Sequence, residues 1–87
     1  MPRDIEEVAD ILYVMLNDNI KYFDIPVTRI SNTTLNMIAD RNQLTLKQLN
    51  FIKHRLSEYD SVLLPSKDCI TLMTRKYHRK IKKQQIH

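Results

Sequence analysis

The chain contains no glycine in its 87 residues. Glycine is the residue that most readily adopts positive φ, so another residue must occupy each left-handed helix end and each tight turn. Asparagine, aspartate, proline and serine are the other residues that favour turns, and their positions limit where the chain can reverse. The absence of glycine also excludes Walker-type and dinucleotide-binding phosphate loops.

Length and composition indicate one globular domain with a modest core. Apolar residues make up 43% of the chain, which is typical of a folded protein. The single cysteine, Cys69, excludes an internal disulfide and a cysteine-based zinc site. The sequence has neither a long apolar run nor a signal-peptide pattern, so we expect a cytoplasmic protein without a membrane partner.

Apolar spacing predicts three helices, of which the first covers residues 4–19. Asp4 is its expected N-cap, and the asparagine and aspartate residues 17–19 are its expected stop. Pro26 prevents a regular helix across residues 20–31. We therefore expect an extended segment there, with a short strand at residues 27–29.

The second and third predicted helices are separated by a short turn. The second starts at one of three candidate caps, residues 31–33, and runs to about residue 41. Asn42 is the expected left-handed turn residue, because asparagine is the best substitute for glycine at a helix end. Thr45 caps the third helix, residues 45–56, and Gln48 lies in capping-box position. The predicted apolar stripe of this helix consists of Leu46, Leu49, Ile52 or Phe51, Leu56 and Tyr59.

Residues 60–74 change to a pattern that is typical of strands. Two short strands are predicted, at residues 61–64 and 69–74. The Pro-Ser-Lys-Asp connection between them, residues 65–68, favours a type I turn. The complete order is helix, short strand, helix, turn, helix and hairpin.

This order resembles the winged helix-turn-helix family of DNA-binding domains over residues 4–74. Ala39 occupies the small position where two helices cross closely, and the apolar positions of the motif match Leu35, Ile38, Leu44, Leu49 and Ile52. The turn departs from the family pattern, because Asn42 or Gln43 stands where glycine is common. The resemblance implies an α+β fold, with a three-helix winged helix-turn-helix domain in residues 1–74 and a C-terminal β-hairpin as its wing.

The charge distribution indicates a polyanionic partner. Six of the 14 basic residues lie within residues 75–83, and all ten acidic residues precede them. Residues 41–57 contain four basic residues and no acidic one. These two segments should attract phosphate, which favours a nucleic acid over a membrane or an acidic protein. We treat residues 75–87 as a basic C-terminal extension.

The third helix is the expected reader of double-stranded DNA. Gln48 and Asn50 can pair with adenine, Lys47 and Arg55 with guanine or phosphate, and Thr45 with phosphate near the helix N-terminus. His54 adds to the positive character of the same segment. Further phosphate contacts are expected from Lys67 in the wing and from the extension, where the candidates are Arg75, Lys76, Arg79 and Lys80.

The sequence offers no basis for catalysis. His54, His78 and His87 lack metal-ligand spacing with Cys69 or a carboxylate pair, so we expect neither a metal nor another cofactor. Cys69 lies on a predicted strand and is expected to be a small core residue. We expect no enzymatic activity and no small-molecule substrate.

The resulting hypothesis is a small transcriptional regulator that binds specific DNA sequences. One recognition helix covers only a few base pairs, so a homodimer is the expected binding form. Two alternatives stay open at this point. The same fold could dock on a larger machine as a protein-interaction module, or the basic extension could bind RNA or the ribosome.

Overall fold

The computed structural model describes residues 2–85. Over these residues the chain has an α+β fold with four helices and one three-stranded antiparallel sheet. The helices are α1 (Ile5–Phe23), α2 (Asn32–Ala39), α3 (Leu46–Glu58) and α4 (Arg75–Gln85). The strands are β1 (Val27–Ser31), β2 (Ser61–Pro65) and β3 (Cys69–Thr74). The fourth helix was not among the three predicted, and it is formed by the basic C-terminal extension.

The sheet has the order β1-β3-β2, so β3 lies in the centre. Ile30 of β1 lies opposite Ile70 of β3, and Leu63 of β2 lies opposite Leu72. All four side chains are buried. Their positions follow the strand period of two, because alternate residues face the same side of a sheet. The core cluster therefore lies between one face of the sheet and helices α1, α2 and α3, which supply the remaining buried residues of that cluster.

Three aspartates take the left-handed conformations that glycine usually provides. Within residues 2–85, the positive-φ residues are Asp24, Asp40 and Asp60, with φ values of 54°, 53° and 55°. Asp24 ends α1 and Asp40 ends α2. The prediction of Asn42 as the left-handed residue was wrong. The helix ends earlier because Ala39 is buried, and Arg41 N–H donates to the Asn36 carbonyl to close the turn.

α1 is one turn longer than predicted and ends at Phe23. The polar residues 17–19 do not stop it, because Leu16 before them is buried and Ile20 after them packs against the core. Asn19 also donates a hydrogen bond from Nδ2 to Thr28 Oγ1 on β1. The helix propensities of asparagine and aspartate differ from alanine by less than about 1 kcal/mol per residue, so these contacts outweigh them.

The apolar stripe of α3 is partly confirmed. Ile52 and Leu56 are fully buried, and Leu49 is half-buried against the core. Leu46 was predicted to be inward but is 74% exposed. It is the first residue of α3, and the helical period places it about 100° around the helix from the side that holds Ile52 and Leu56. Phe51, the alternative to Ile52, is 49% exposed, so the stripe follows Ile52.

Candidate nucleic-acid interface

The N-terminus of α3 is fixed by a capping box, as the sequence predicted. Thr45 Oγ1 accepts a hydrogen bond from Gln48 N–H at 3.1 Å, and Gln48 Oε1 accepts one from Thr45 N–H at 2.9 Å. Both side chains satisfy backbone donors that would otherwise have no partner in the helix. The carboxamide oxygen of Gln48 is therefore already engaged within the protein.

Lys47, Asn50 and His54 form an exposed row on α3, which we call the outward face. Their spacing of three and four residues places them on one side of the helix, away from buried Ile52 and Leu56. The side chains of Lys47 and Asn50 make no hydrogen bond or ion pair with any residue from 2 to 84. His54 is 78% exposed, and its Nε2 lies 3.6 Å from a Glu58 carboxylate oxygen. The outward face thus combines a cation, an amide and an imidazole.

Arg55 lies on a different side of α3 and points at α1. Its guanidinium lies 2.9 Å from the carboxylate of Glu6 and 3.5 Å from that of Asp10, and it covers the ring of Tyr59. Partial burial lowers the pKa of Arg55, but the negative charges around it outweigh that effect and raise the pKa overall. Arg55 therefore joins α3 to α1 through these ion pairs.

The β2–β3 hairpin presents Lys67 at its turn. Residues 66–68 separate the strands, and Lys67 is exposed there. The turn is held by α2, because Asn32 donates from Nδ2 to the Lys67 carbonyl at 2.9 Å and from its backbone to the Asp68 carbonyl at 3.0 Å. The hairpin turn is therefore anchored beside the first residue of α2.

α4 begins at the end of β3 that is opposite the hairpin turn. The six residues of β3 separate the two ends by about 20 Å. Arg75, the first residue of α4, donates to the Asp60 carboxylate at 2.8 Å and to the Ser57 carbonyl at 2.6 Å. The guanidinium of Arg75 is thus engaged within the fold. α4 therefore starts at the end of the sheet away from Lys67.

A groove of about 1090 Å³ separates α4 from α1. On the α4 side it is lined by four exposed cations, which we call the α4 basic face: Lys76, Arg79, Lys80 and Lys83. On the α1 side it is lined by Tyr13, Leu16, Asn17 and Ile20. Three of the residues that we predicted to contact DNA therefore lie together on α4, apart from the α3 outward face: Lys76, Arg79 and Lys80. The sequence contains no local signal for this groove, because its two walls lie far apart in the chain.

No group of three or more histidine, cysteine, aspartate or glutamate side chains within residues 2–85 is arranged to hold a metal ion. Cys69 is half-buried, and its Sγ lies 3.2 Å from the Ser66 hydroxyl. In the same part of the chain, no helix is long and apolar enough to cross a membrane.

Comparisons with known proteins add no assignment to this geometry. No protein-family model matches the chain, and no curated protein and no solved structure was found to match it.

Proposed function

We propose that this chain is a winged helix-turn-helix protein that binds double-stranded DNA. In this assignment α2 and α3 are the helix-turn-helix, α3 is the recognition helix, and the β2–β3 hairpin is the wing. The observation that supports it most is the two-sided character of α3. Ile52 and Leu56 anchor one side in the core, while the outward face projects side chains that no described element covers.

The outward face has the chemistry that the major groove requires. An asparagine amide can donate to and accept from an adenine edge, and a lysine can donate to guanine or to a phosphate. Thr45 lies at the helix N-terminus, where backbone N–H groups favour an anion. The proposed interface is therefore Thr45, Lys47, Asn50 and His54 on α3, with Lys67 in the wing.

Three residues from the sequence-based set play other roles in this proposal. Arg55 and Arg75 are paired within the fold, and Gln48 closes the capping box. The α4 basic face supports the proposal through its positive potential, which raises the rate of encounter with DNA without direct contact. Further parts of the proposal are a binding role without catalysis, a homodimeric DNA complex and a cytoplasmic location.

The test is to select a preferred sequence from a genomic fragment pool and to measure affinity by fluorescence anisotropy at several salt concentrations. Lys47→Ala should weaken binding and reduce the slope of log K against log salt by about 0.9. Lys21→Ala is the matched control, because Lys21 is an exposed lysine in the last turn of α1. Equal losses for Lys47→Ala and Lys21→Ala would refute α3 as the DNA-contacting helix.

A second candidate function is docking on a protein, and one observation favours it. Leu46 and Phe51 are apolar side chains of α3 that remain 74% and 49% exposed, and Met37 of α2 is also 74% exposed. Exposed apolar side chains of this kind occur at protein interfaces. Weak DNA binding that does not change with salt would favour this function over DNA recognition.

A further inference from the structure

The groove between α1 and α4 combines an apolar wall with a cationic one. Tyr13, Leu16 and Ile20 are spaced by three and four residues, so they form one stripe along α1. Leu16 is buried, whereas Tyr13 and Ile20 are half-buried and keep part of their surface open to the groove. Pro26 extends the lining beyond the end of α1. An apolar stripe of this length matches the side of an amphipathic helix.

The α4 basic face opposite this stripe carries positive charge that no ion pair within residues 2–84 neutralises. Residues 75–85 contain no acidic side chain, so like charges face each other at three- and four-residue spacing along the helix. Such pairs destabilise an isolated helix, and a ligand with carboxylates along one side would relieve the repulsion.

We propose that this groove binds an acidic amphipathic helix from a partner protein. The apolar side chains of that helix would pack on the α1 stripe, and its carboxylates would pair with the α4 basic face. α4 is 11 residues long, or about 16 Å, so 11 residues of partner helix would lie alongside it and one extra turn brings the length to about 14 residues. This partner site goes beyond the proposed DNA-binding function and uses a separate surface.

The lining favours a protein helix over a nucleic acid. Leu16, Ile20 and Pro26 have no side-chain donor for a phosphate oxygen. Asp24 also lines the groove, and its carboxylate would repel a phosphate backbone. A partner helix can instead turn apolar side chains toward this wall and keep its carboxylates on the α4 side.

The proposal can be tested with a fluorescent synthetic helix of about 14 residues, with leucines at helical spacing and glutamates on the flanks. Anisotropy would measure its affinity for the full chain beside a scrambled peptide of identical composition and a duplex DNA. Lys80→Glu with Lys83→Glu should weaken binding of the helix by at least about tenfold, because two attractive pairs become repulsive. Lys82→Glu is the matched control, since Lys82 is exposed but lies outside the groove.

A second variant tests the α1 wall without disturbing the core. Asn17 is exposed and lines the groove, so Asn17→Glu should weaken the peptide complex and leave the fold intact. Asn50→Ala, on the α3 outward face, should leave peptide affinity unchanged, which separates this site from the proposed DNA interface. Circular dichroism of each variant would verify that it is folded.

Four outcomes would overturn the proposal. The first is an absence of peptide binding, and the second is equal affinity for the scrambled peptide, which would indicate charge attraction alone. The third is an equal loss from Lys82→Glu. The fourth is that duplex DNA binds while the peptide does not, and that the Lys80→Glu, Lys83→Glu double variant abolishes DNA binding. This result would assign the groove to a phosphate backbone.

Discussion

Alanine substitutions of Asn50 and Gln48 should separate DNA reading from folding, although both amides lie on the same helix. Asn50 is exposed, and its side chain makes no hydrogen bond within residues 2–84. Asn50→Ala should therefore change the free energy of unfolding by no more than about 0.5 kcal/mol. The loss of a bidentate base contact should instead cost about 1–3 kcal/mol of discrimination, which is about 5- to 150-fold in affinity for the preferred site.

Gln48→Ala should instead lower the stability of the fold and have little effect on DNA discrimination. Its Oε1 accepts the hydrogen bond from Thr45 N–H, and the substitution leaves that donor without a partner at the start of α3. The expected cost is about 1 kcal/mol of stability. In a domain of this size that change lowers Tm by about 4–8 °C. Discrimination between preferred and scrambled sites should change much less than in Asn50→Ala.

The assay combines thermal unfolding by circular dichroism with anisotropy titrations on preferred and scrambled DNA. Asn50→Ala should lose affinity only for the preferred site and unfold at nearly the wild-type temperature. The reasoning is refuted if Asn50→Ala binds both sites as the wild type does. It is equally refuted if Gln48→Ala keeps the wild-type Tm and loses discrimination, because Gln48 would then be a base reader.

Three further predictions concern stability and electrostatics. Ile52→Ala should lower the free energy of unfolding by about 2–5 kcal/mol, because Ile52 is fully buried. Leu49 is half-buried, so Leu49→Ala should lower it by less. Denaturant titrations that gave equal losses or the reverse order would contradict the packing of α3. Asp24 has positive φ, a conformation in which a Cβ atom clashes with the backbone. Asp24→Gly removes the Cβ and should raise the free energy of unfolding by about 0.5–1 kcal/mol, while Asp24→Ala should lower it. Equal Tm values for both variants would show that this conformation is not strained. Deleting residues 75–87 should leave the slope of log K against log salt for nonspecific DNA binding nearly unchanged, because α4 is proposed to act without direct contact. A flatter slope would show that α4 contacts phosphate directly.

Short-range patterns in the sequence predicted several elements correctly. The capping box of Thr45 and Gln48 formed as predicted, because both partners lie within one turn. The two strands of the hairpin also agree with the prediction, apart from Pro65, which belongs to β2 rather than to the turn. Burial of Leu56 followed from helical spacing, whereas spacing left Ile52 and Phe51 as alternatives and the structure buries Ile52.

The choice of left-handed residues depended on tertiary packing. The absence of glycine predicted that asparagine, aspartate or another turn residue would end the helices, and aspartates do so at residues 24 and 40. Which aspartate was used depended on where the buried part of each helix ended. Ala39 and Ile20 pack in or against the core, and their contacts set the last turns of α2 and α1. Local turn preferences are too small to compete with that burial.

The composition of the candidate interface was also decided by the tertiary structure. The sequence shows that residues 41–57 and 75–83 are basic, but it does not show which of their cations are available to a ligand. Arg55 is paired with Glu6 and Asp10, and Arg75 with Asp60, across distances in the chain that no spacing rule covers. Lys47 and the α4 basic face make no such pair with any residue from 2 to 84. An ion pair depends on which side chains the fold brings within a few ångströms, so only the folded chain separates structural cations from free ones.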